Sequence, residues 1–314
     1  MVLGLRFGHC RTNPSREALI HPGEMKNHRF WLLLLLVWPL MALGQEVGVV
    51  TLTDRPLKLI RGTSVFMVGE GARLRPGDIV ECVERGLVQL ELDGGTIIAL
   101  HGDSRLFLYE FASGRRSRSN GPELVLLKGW LKAETKAGED AYRLHTLLLT
   151  ASTRDGTLVI HVTPESADVF LESGSGSVEE SSGRHRPDRR VDGKPGQYFS
   201  LIAGKQIVSL PRPPTPFVTA VPISFQDTLP PRRQALRSKS TETKPDHDVT
   251  YPEIADWLKI DRRWRRGFIR QFSPRLRDPA FRRDLAANLK EHPEWHRILY
   301  PEKYRRKSAE NAER

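Results

Sequence analysis

Cysteine is almost missing from these 314 residues: there are two, Cys10 and Cys82. Cys10 precedes an export-type segment, so a processed chain would keep Cys82 alone. That excludes an intramolecular disulfide and a cysteine-based zinc site, and leaves stability to packing. Cys82 stands beside Ile79, Val80 and Val83 and reads as a small buried hydrophobe. Reactive groupings are as scarce. His101, His145 and His161 lie tens of residues apart, and none sits in a two-to-four-residue pairing of the sort that makes a convincing metal site. Asp103 and Ser104 beside His101 offer acid, hydroxyl and imidazole, but neighbours on one turn do not reach the base-to-nucleophile geometry of a triad. Ser152, Thr153 and Asp155 read as turn formers. Gly174-Ser175-Gly176-Ser177 lacks the lysine and following helix of a phosphate loop and reads as a flexible connection. The sequence points away from an enzyme, and no catalytic, cofactor-binding or metal-binding residue is nominated.

Long hydrophobic runs are limited to one, WLLLLLVWPLMALG from Trp31 to Gly44. Basic Lys26 and Arg29 precede it, and its length suits a secretory h-region better than a membrane span. Ala42 and Gly44 occupy the −3 and −1 positions that signal peptidase requires, so cleavage after Gly44 is expected, with Gln45 first in the mature protein. Met25 reads as the initiator of this pattern, which sets residues 1–24 aside from fold reasoning. The alternative is an uncleaved single-pass anchor.

What is present is β-structure, then helix. Between Val47 and Leu210 the apolar residues fall in short runs such as VGVVTL, TSVFMV, LVQLEL, TIIAL, TLVIHV and QYFSLI, each bounded by Gly, Asp, Asn, Pro or Ser. This spacing, with no helical period between, predicts an all-β sandwich, barrel or stack of hairpin repeats. Leu87, Gln89 and Glu91 alternate with Val88, Leu90 and Leu92, and Asp93-Gly94-Gly95 turns the chain back into Thr96–Leu100, a hairpin with one face buried. Arg75-Pro76-Gly77-Asp78 and His101-Gly102-Asp103-Ser104 read as turns on either side.

The order of these pieces resembles the FecR domain, the periplasmic module of ferric-citrate-type signalling regulators. The resemblance rests on Gly71-Ala72-Arg73-Leu74-Arg75-Pro76-Gly77-Asp78, Leu90 to Leu92, Asp93-Gly94, Ile98, Leu100 and Ser104-Arg105-Leu106. It continues through Leu127-Lys128-Gly129-Trp130, Leu158 to Val162, Val169 to Gly174 and Gly196-Gln197-Tyr198, roughly half the chain. Cys82 departs from the small polar residue usual in the family, at a position that looks structural. The resemblance implies a predominantly β fold and a binding or sensing role without catalysis. Signalling members place an anti-sigma segment before a transmembrane helix. Here about 30 residues precede the apolar run, too few for an independently packed domain, so the expectation is an exported FecR-like domain used alone.

Past Leu210 the texture changes. Pro211 to Pro216 is stiff, VTAVPISF is a short apolar segment that could dock as a strand or as a peptide, and PPRRQALRSKSTETKPDHD is linker-like. From Tyr251 the period becomes helical. Ile254, Trp257 and Leu258 share a face, and Trp264, Phe268, Ile269 and Phe272 form a second stripe stopped by Pro274. Asp278-Pro279 caps a third helix carrying Phe281, Leu285 and Leu289, and Trp295, Ile298 and Leu299 form a last turn. The organisation expected is thus 1–44 extension and signal peptide, 45–210 FecR-like β domain, 211–250 Pro-rich and polar linker, and 251–314 basic helical module.

Most of the formal charge of +11 is carried by that last module. Residues 251–314 hold 17 Lys and Arg against 10 Asp and Glu, whereas residues 46–230 hold 22 against 23. Arg262, Arg263, Arg265, Arg266, Arg270, Arg275 and Arg277, with Arg305-Arg306-Lys307, would suit an anionic partner. The basic runs Arg115-Arg116-Ser117-Arg118 and Arg184, Arg186, Arg189, Arg190 read as solvated loops and lack the interleaved aromatics of a single-strand nucleic-acid platform. For an exported protein the available anions are lipid headgroups, lipopolysaccharide and cell-wall polymer, and no nucleic-acid partner is expected. The functional expectation is a non-enzymatic periplasmic protein that binds a protein or envelope polymer, with a basic tail adding contact to an anionic surface. The alternative is an inner-membrane-anchored FecR-type regulator in an anti-sigma pathway.

Overall fold

Apolar runs bounded by turn residues become strands along most of the chain. The structure, a computed structural model, describes residues 45–110, 121–136, 141–181, 190–236 and 244–304. The apolar run at 31–44, the arginine clusters at 115–118 and 184–189, and the basic end at 305–307 lie outside the described residues. No helix among the described residues is long and apolar enough to cross a membrane.

Among the described residues sixteen strands join one sheet. They are β1 (Gly48–Thr53), β2 (Leu57–Arg61), β3 (Ser64–Val68), β4 (Arg73–Leu74), β5 (Ile79–Glu81), β6 (Leu87–Leu92), β7 (Ile97–Glu110) and β8 (Glu123–Thr135). There follow β9 (Tyr142–His145), β10 (Leu149–Val162), β11 (Ser166–Leu171), β12 (Ser175–Glu180), β13 (Arg190–Gly193), β14 (Tyr198–Ile202), β15 (Val208–Leu210) and β16 (His247–Asp248). The main path runs β15-β14-β11-β10-β9-β8-β7-β5-β2-β3-β16, with β6 joining β1 to β7 and β12 joining β13 to β10. Neighbours are antiparallel except β8 and β9. Alternation directs Val50, Leu90, Ile98, Leu100, Leu131, Leu158, Ile160, Val169 and Leu201 into a single interior cluster, around which the sheet packs.

Three short stretches behave differently from their local signals. His101-Gly102-Asp103-Ser104 does not end a strand: β7 runs through it, with its pairing to β8 shifted between His101 and Arg105. Opposite that shift Gly129 has φ +96, and a Cβ there would lie 2.3 Å from Ser104 Oγ. A glycine is required because the two strands touch at that point. Asp155 and Gly156 likewise sit inside β10 rather than at its end, and Ser175-Gly176-Ser177 opens β12 instead of forming a flexible connection. Strand pairing before and after them carries the chain through, while Gly102 and Gly156 keep the positive φ of a turn, +69 and +94, at irregularities inside the strands.

The outward sheet face is covered twice. Residues 213–236 form a strap containing α1 (Thr215–Ala220) and 3-10 turns at Ile223–Phe225 and Arg233–Leu236. Phe217, Phe225 and Leu229 pack from it onto Ile97, Ala99, Val159 and Tyr198. The apolar segment left open by sequence therefore docks as a short helix and turn.

Further on come α2 (Tyr251–Leu258), α3 (Arg262–Phe272), α4 (Pro279–Ala287) and α5 (His296–Leu299). Asp261 and Asp278 cap α3 and α4 by accepting from Arg263 N and Ala280 N. These helices cover a second patch of the outward face: Trp257, Trp264 and Phe268 share a cluster with Ile60, Val65, Ile79, Phe107, Val125 and Leu127. The Phe107 and Phe268 rings are 4.7 Å apart. Each such large side chain, fully buried, contributes roughly 1.5–3 kcal/mol. The seam is also polar: buried Glu81 faces Lys58 at 3.4 Å and Arg105 at 3.5 Å, and accepts from Trp257 Nε1 at 3.3 Å.

Candidate functional site

Register places the histidines first. The pairings Leu87–His101, His101–Trp130, Trp130–His161, His161–Asp168 and Asp168–Ser200 align one outward row across β6, β7, β8, β10, β11 and β14. His101 and His161, 60 residues apart in sequence, thus flank Trp130. His161 stacks on Trp130 with centroids 4.2 Å apart and 14° between planes. Burial lowers both imidazoles below the ordinary range, against an opposing pull from Asp54 on His101 and from Asp168 on His161. Asp168 is engaged by the Tyr198 hydroxyl, which donates to it at 2.7 Å.

His145 lies elsewhere, under the helices: its Nδ1 is 2.9 Å from Thr150 Oγ1, and its ring is 5.4 Å from Trp264. Among the described residues no group of three or more His, Cys, Asp or Glu is placed to hold a metal. Ser104 is fully buried, its hydroxyl 2.6 Å from the His101 carbonyl and 2.9 Å from the Trp130 backbone, while Asp103 pairs with Lys128. Ser104 therefore closes the bulge.

Beside the histidine row the strap is held by polar side chains that local pattern assigns to solvent. Gln89 and Glu91, on the polar side of the β6 alternation, are 2% and 7% exposed. Gln89 Nε2 donates to the Pro230 carbonyl at 2.8 Å, and Glu91 accepts from Arg233 N at 3.1 Å. Glu134 accepts from Leu229 N at 3.0 Å. Lys132, 1% exposed, donates to the carbonyls of Phe225 and Asp227 and faces Glu134 at 3.3 Å. A polar residue at every second position signals only an outward face; nothing in that signal says whether water or a strap meets it. Between α1 and the sheet an apolar cleft of about 350 Å3 remains, lined by Val159, Phe170, Phe217, Val221 and Phe225 with Glu172.

The second candidate surface is the solvent face of α3. Its sequence, RRWRRGFIRQF, turns Trp264, Phe268 and Phe272 inward and Arg263, Arg266 and Arg270 outward. The arginines then divide by partner. Arg265 bonds Glu294 at 3.1 Å and the Ile260 and Lys259 carbonyls. Arg275 bonds Asp248 at 2.9 Å, Asp278 at 2.6 Å and the Val249 carbonyl. Both are consumed in holding the helices together. Arg263 lies over the Trp264 ring at 4.7 Å and 3.5 Å from Asp261. Arg266, Arg270 and Arg277 are exposed and have no ion-pair partner among the described residues. Arg266 and Arg270 are one turn apart, an arrangement that costs a few tenths of a kcal/mol by like-charge repulsion.

No protein-family model matches the chain, and no curated protein matches it. Among solved structures the chain is weakly similar to two crystal structures of a "putative anti-sigma factor" from Parabacteroides distasonis ATCC 8503, at 2.50 Å and 1.65 Å resolution. Each aligns with 12% identity and a TM-score of 0.35, covering 43% of this chain and 59% of the other. The chain thus spans a little under three fifths of those proteins, a superposition too partial to establish a common fold.

Proposed function

We propose that the protein is an exported, non-enzymatic binding protein of the cell envelope. Its FecR-like β body carries the surface for a protein or polymer partner, and the basic face of α3 attracts an anionic one. The observation that supports this reading is the division among the arginines. Arg265 and Arg275 are neutralised within the fold, while Arg266, Arg270 and Arg277 project charge outward with no ion-pair partner among the described residues. Guanidinium groups left in solvent at the cost of mutual repulsion favour carboxylate or phosphate oxygens brought from outside.

The experiment is salt-dependent sedimentation of the purified protein with isolated Gram-negative envelopes. Binding is expected to fall steeply as ionic strength rises, and to drop about tenfold or more in Arg266→Ala/Arg270→Ala/Arg277→Ala, since each exposed charge contributes its own share of counterion release. Binding that persists unchanged at high salt and in the triple variant would sink the role of the basic face. The N-terminus of the accumulated protein, measured by mass spectrometry, tests export: a start at Gln45 supports it. An intact chain in the inner-membrane fraction would favour the anchored FecR-type regulator.

A further inference from the structure

Gly267 is the one glycine inside a helix among the described residues. It occupies the middle of α3, has an ordinary helical backbone and is exposed. A Cβ built there meets no atom within 4 Å. Gly129, Gly156 and Gly174 are different: each has positive φ, and a Cβ on any of them would fall within 2.3 Å of an atom of a neighbouring segment. The protein's own packing explains those glycines and does not explain Gly267. Glycine at an exposed interior helix position is disfavoured relative to alanine, because it gives up more backbone freedom on folding. The position therefore carries a stability cost with no return inside the molecule.

Its surroundings supply the return. Arg263 lies four residues before Gly267, Arg266 one before and Arg270 three after, so a bare patch of helix backbone is bordered by three guanidinium groups over about 10 Å of axis at 1.5 Å per residue. Gln271, which would otherwise overhang the patch from the next turn, is drawn away because its Nε2 donates to the Gly62 carbonyl at 3.0 Å. Arg263 is drawn toward the other end by Trp264 and Asp261. The result is a notch in an arginine-lined face.

We infer that a linear, phosphate-bearing polymer crosses α3 at Gly267, its chain seated in the notch and its phosphates on Arg266 and Arg270. This deepens the basic-face reading above and rests on it. Three observations favour that occupant. The unpaired charges are positive and have the planar fork that grips phosphate oxygens from several directions. A tetrahedral phosphate can be shared by guanidinium groups set around a notch, which a planar carboxylate matches less well. Finally, the solvent face of α3 at positions 263, 266, 267 and 270 offers no apolar residue for insertion into a bilayer, so a flat lipid surface would gain charge contact without apolar burial and would have no use for a missing side chain.

The test compares the full chain with Gly267→Ala, Gly267→Leu and Arg266→Ala/Arg270→Ala, measuring the affinity for fluorescently labelled long-chain polyphosphate and for anionic phosphatidylglycerol vesicles, with Tm recorded for each. The Gly267 variants are expected to be at least as thermostable as the parent, because either side chain favours helix over glycine. Polyphosphate affinity should nevertheless fall about threefold for alanine and about tenfold for leucine, as the side chain lifts the polymer off the arginines. The double arginine variant should lose about tenfold, with a shallower salt dependence. Unchanged polyphosphate affinity in both Gly267 variants, alongside loss in the arginine variant, overturns the notch and leaves the basic face standing. Failure of the parent to bind polyphosphate, or indifference to the arginine substitutions, overturns both. Vesicle binding as strong as polyphosphate binding and insensitive to Gly267→Leu would assign the face to a lipid surface and overturn the polymer.

Discussion

The ammonium group of Lys132 donates a hydrogen bond to the carbonyl of Phe225 at 2.8 Å, from a side chain that is almost wholly out of contact with water. Residues 93 apart in sequence are thereby joined: a cation projecting from the middle of β8 anchors a strap that reads as linker. The same ammonium reaches the Asp227 carbonyl at 3.0 Å and lies near Glu134 and Glu172. Burial of a charge is tolerated only with this many partners.

Replacing Lys132 by methionine keeps the volume and removes the charge, leaving two strap carbonyls and Glu134 short of a donor. A loss of about 3–5 kcal/mol in chemical denaturation is expected, the usual consequence of breaking a buried charged network from one side. Trypsin should also cut at Arg232 or Arg233 sooner than in the parent. A variant within about 1 kcal/mol of the parent, with unchanged cleavage, would show that Lys132 contributes little and that the apolar contacts of Phe217, Phe225 and Leu229 with the Gln89, Glu91 and Glu134 bonds hold the strap.

Gly129→Ala meets two obstacles at once. The residue has φ +96, and the new methyl group would sit 2.3 Å from Ser104 Oγ and 2.5 Å from Ser104 Cα. Backbone strain of about 1–2 kcal/mol adds to displacement of β7 at its bulge, so a total above roughly 3 kcal/mol is expected in a denaturant titration. Gly267→Ala should show the opposite sign.

Stability should fall on acidification because His145 is held neutral. Burial chiefly, then Arg263 and Arg143, push its imidazole from the ordinary 6.5 down to about 4, with Glu179 and Asp261 opposing. In that window the unfolded chain binds the proton and the folded chain does not, so stability is complete above pH 6.5 and is lost as pH falls toward 4, by roughly 3 kcal/mol in total. His101, His161 and His292 are lowered in the same direction, so the measurement is the difference between parent and His145→Gln. The variant should have the flatter curve between pH 6.5 and 4. Parallel curves would mean that His145 takes up its proton as easily folded as unfolded.

Cys82 should be inert in the native protein. It is 2% exposed, and burial, reinforced by the charges of Asp54 and Asp103, pushes its thiol up to about 12. At pH 8 almost no thiolate forms, so a disulfide reagent should label it at the rate of unfolding and rapidly in denaturant. Fast native labelling would show that the connection between β5 and β6 opens.

Much of this architecture is decided by local chemistry and can be read residue by residue. Period-two alternation sets β6, Asp93-Gly94-Gly95 turns it into β7, Asp261 and Asp278 cap α3 and α4, and the 3.6-residue period of RRWRRGFIRQF separates Trp264 and Phe268 from Arg266 and Arg270. Even the burial of Cys82 follows from its neighbours. The departures show where local signals lose: His101-Gly102-Asp103-Ser104 and Asp155-Gly156 carry turn signals, and the strand pairings around them carry the strands through.

What only the tertiary structure decided are relationships across sequence distance. Alternation marks Gln89, Glu91, Lys132 and Glu134 as outward, but their burial depends on a strap more than 90 residues downstream. The row His101–Trp130–His161 depends on the register of three strands, which no one of them specifies alone. Composition makes the tail basic, yet whether an arginine is spent or free is settled by contacts such as Arg265 to Glu294, 29 residues away, and Arg275 to Asp248, 27 residues away. The physical reason is common to all three. Side-chain direction is set by the backbone period and is written locally, whereas what a side chain meets is set by how distant segments pack.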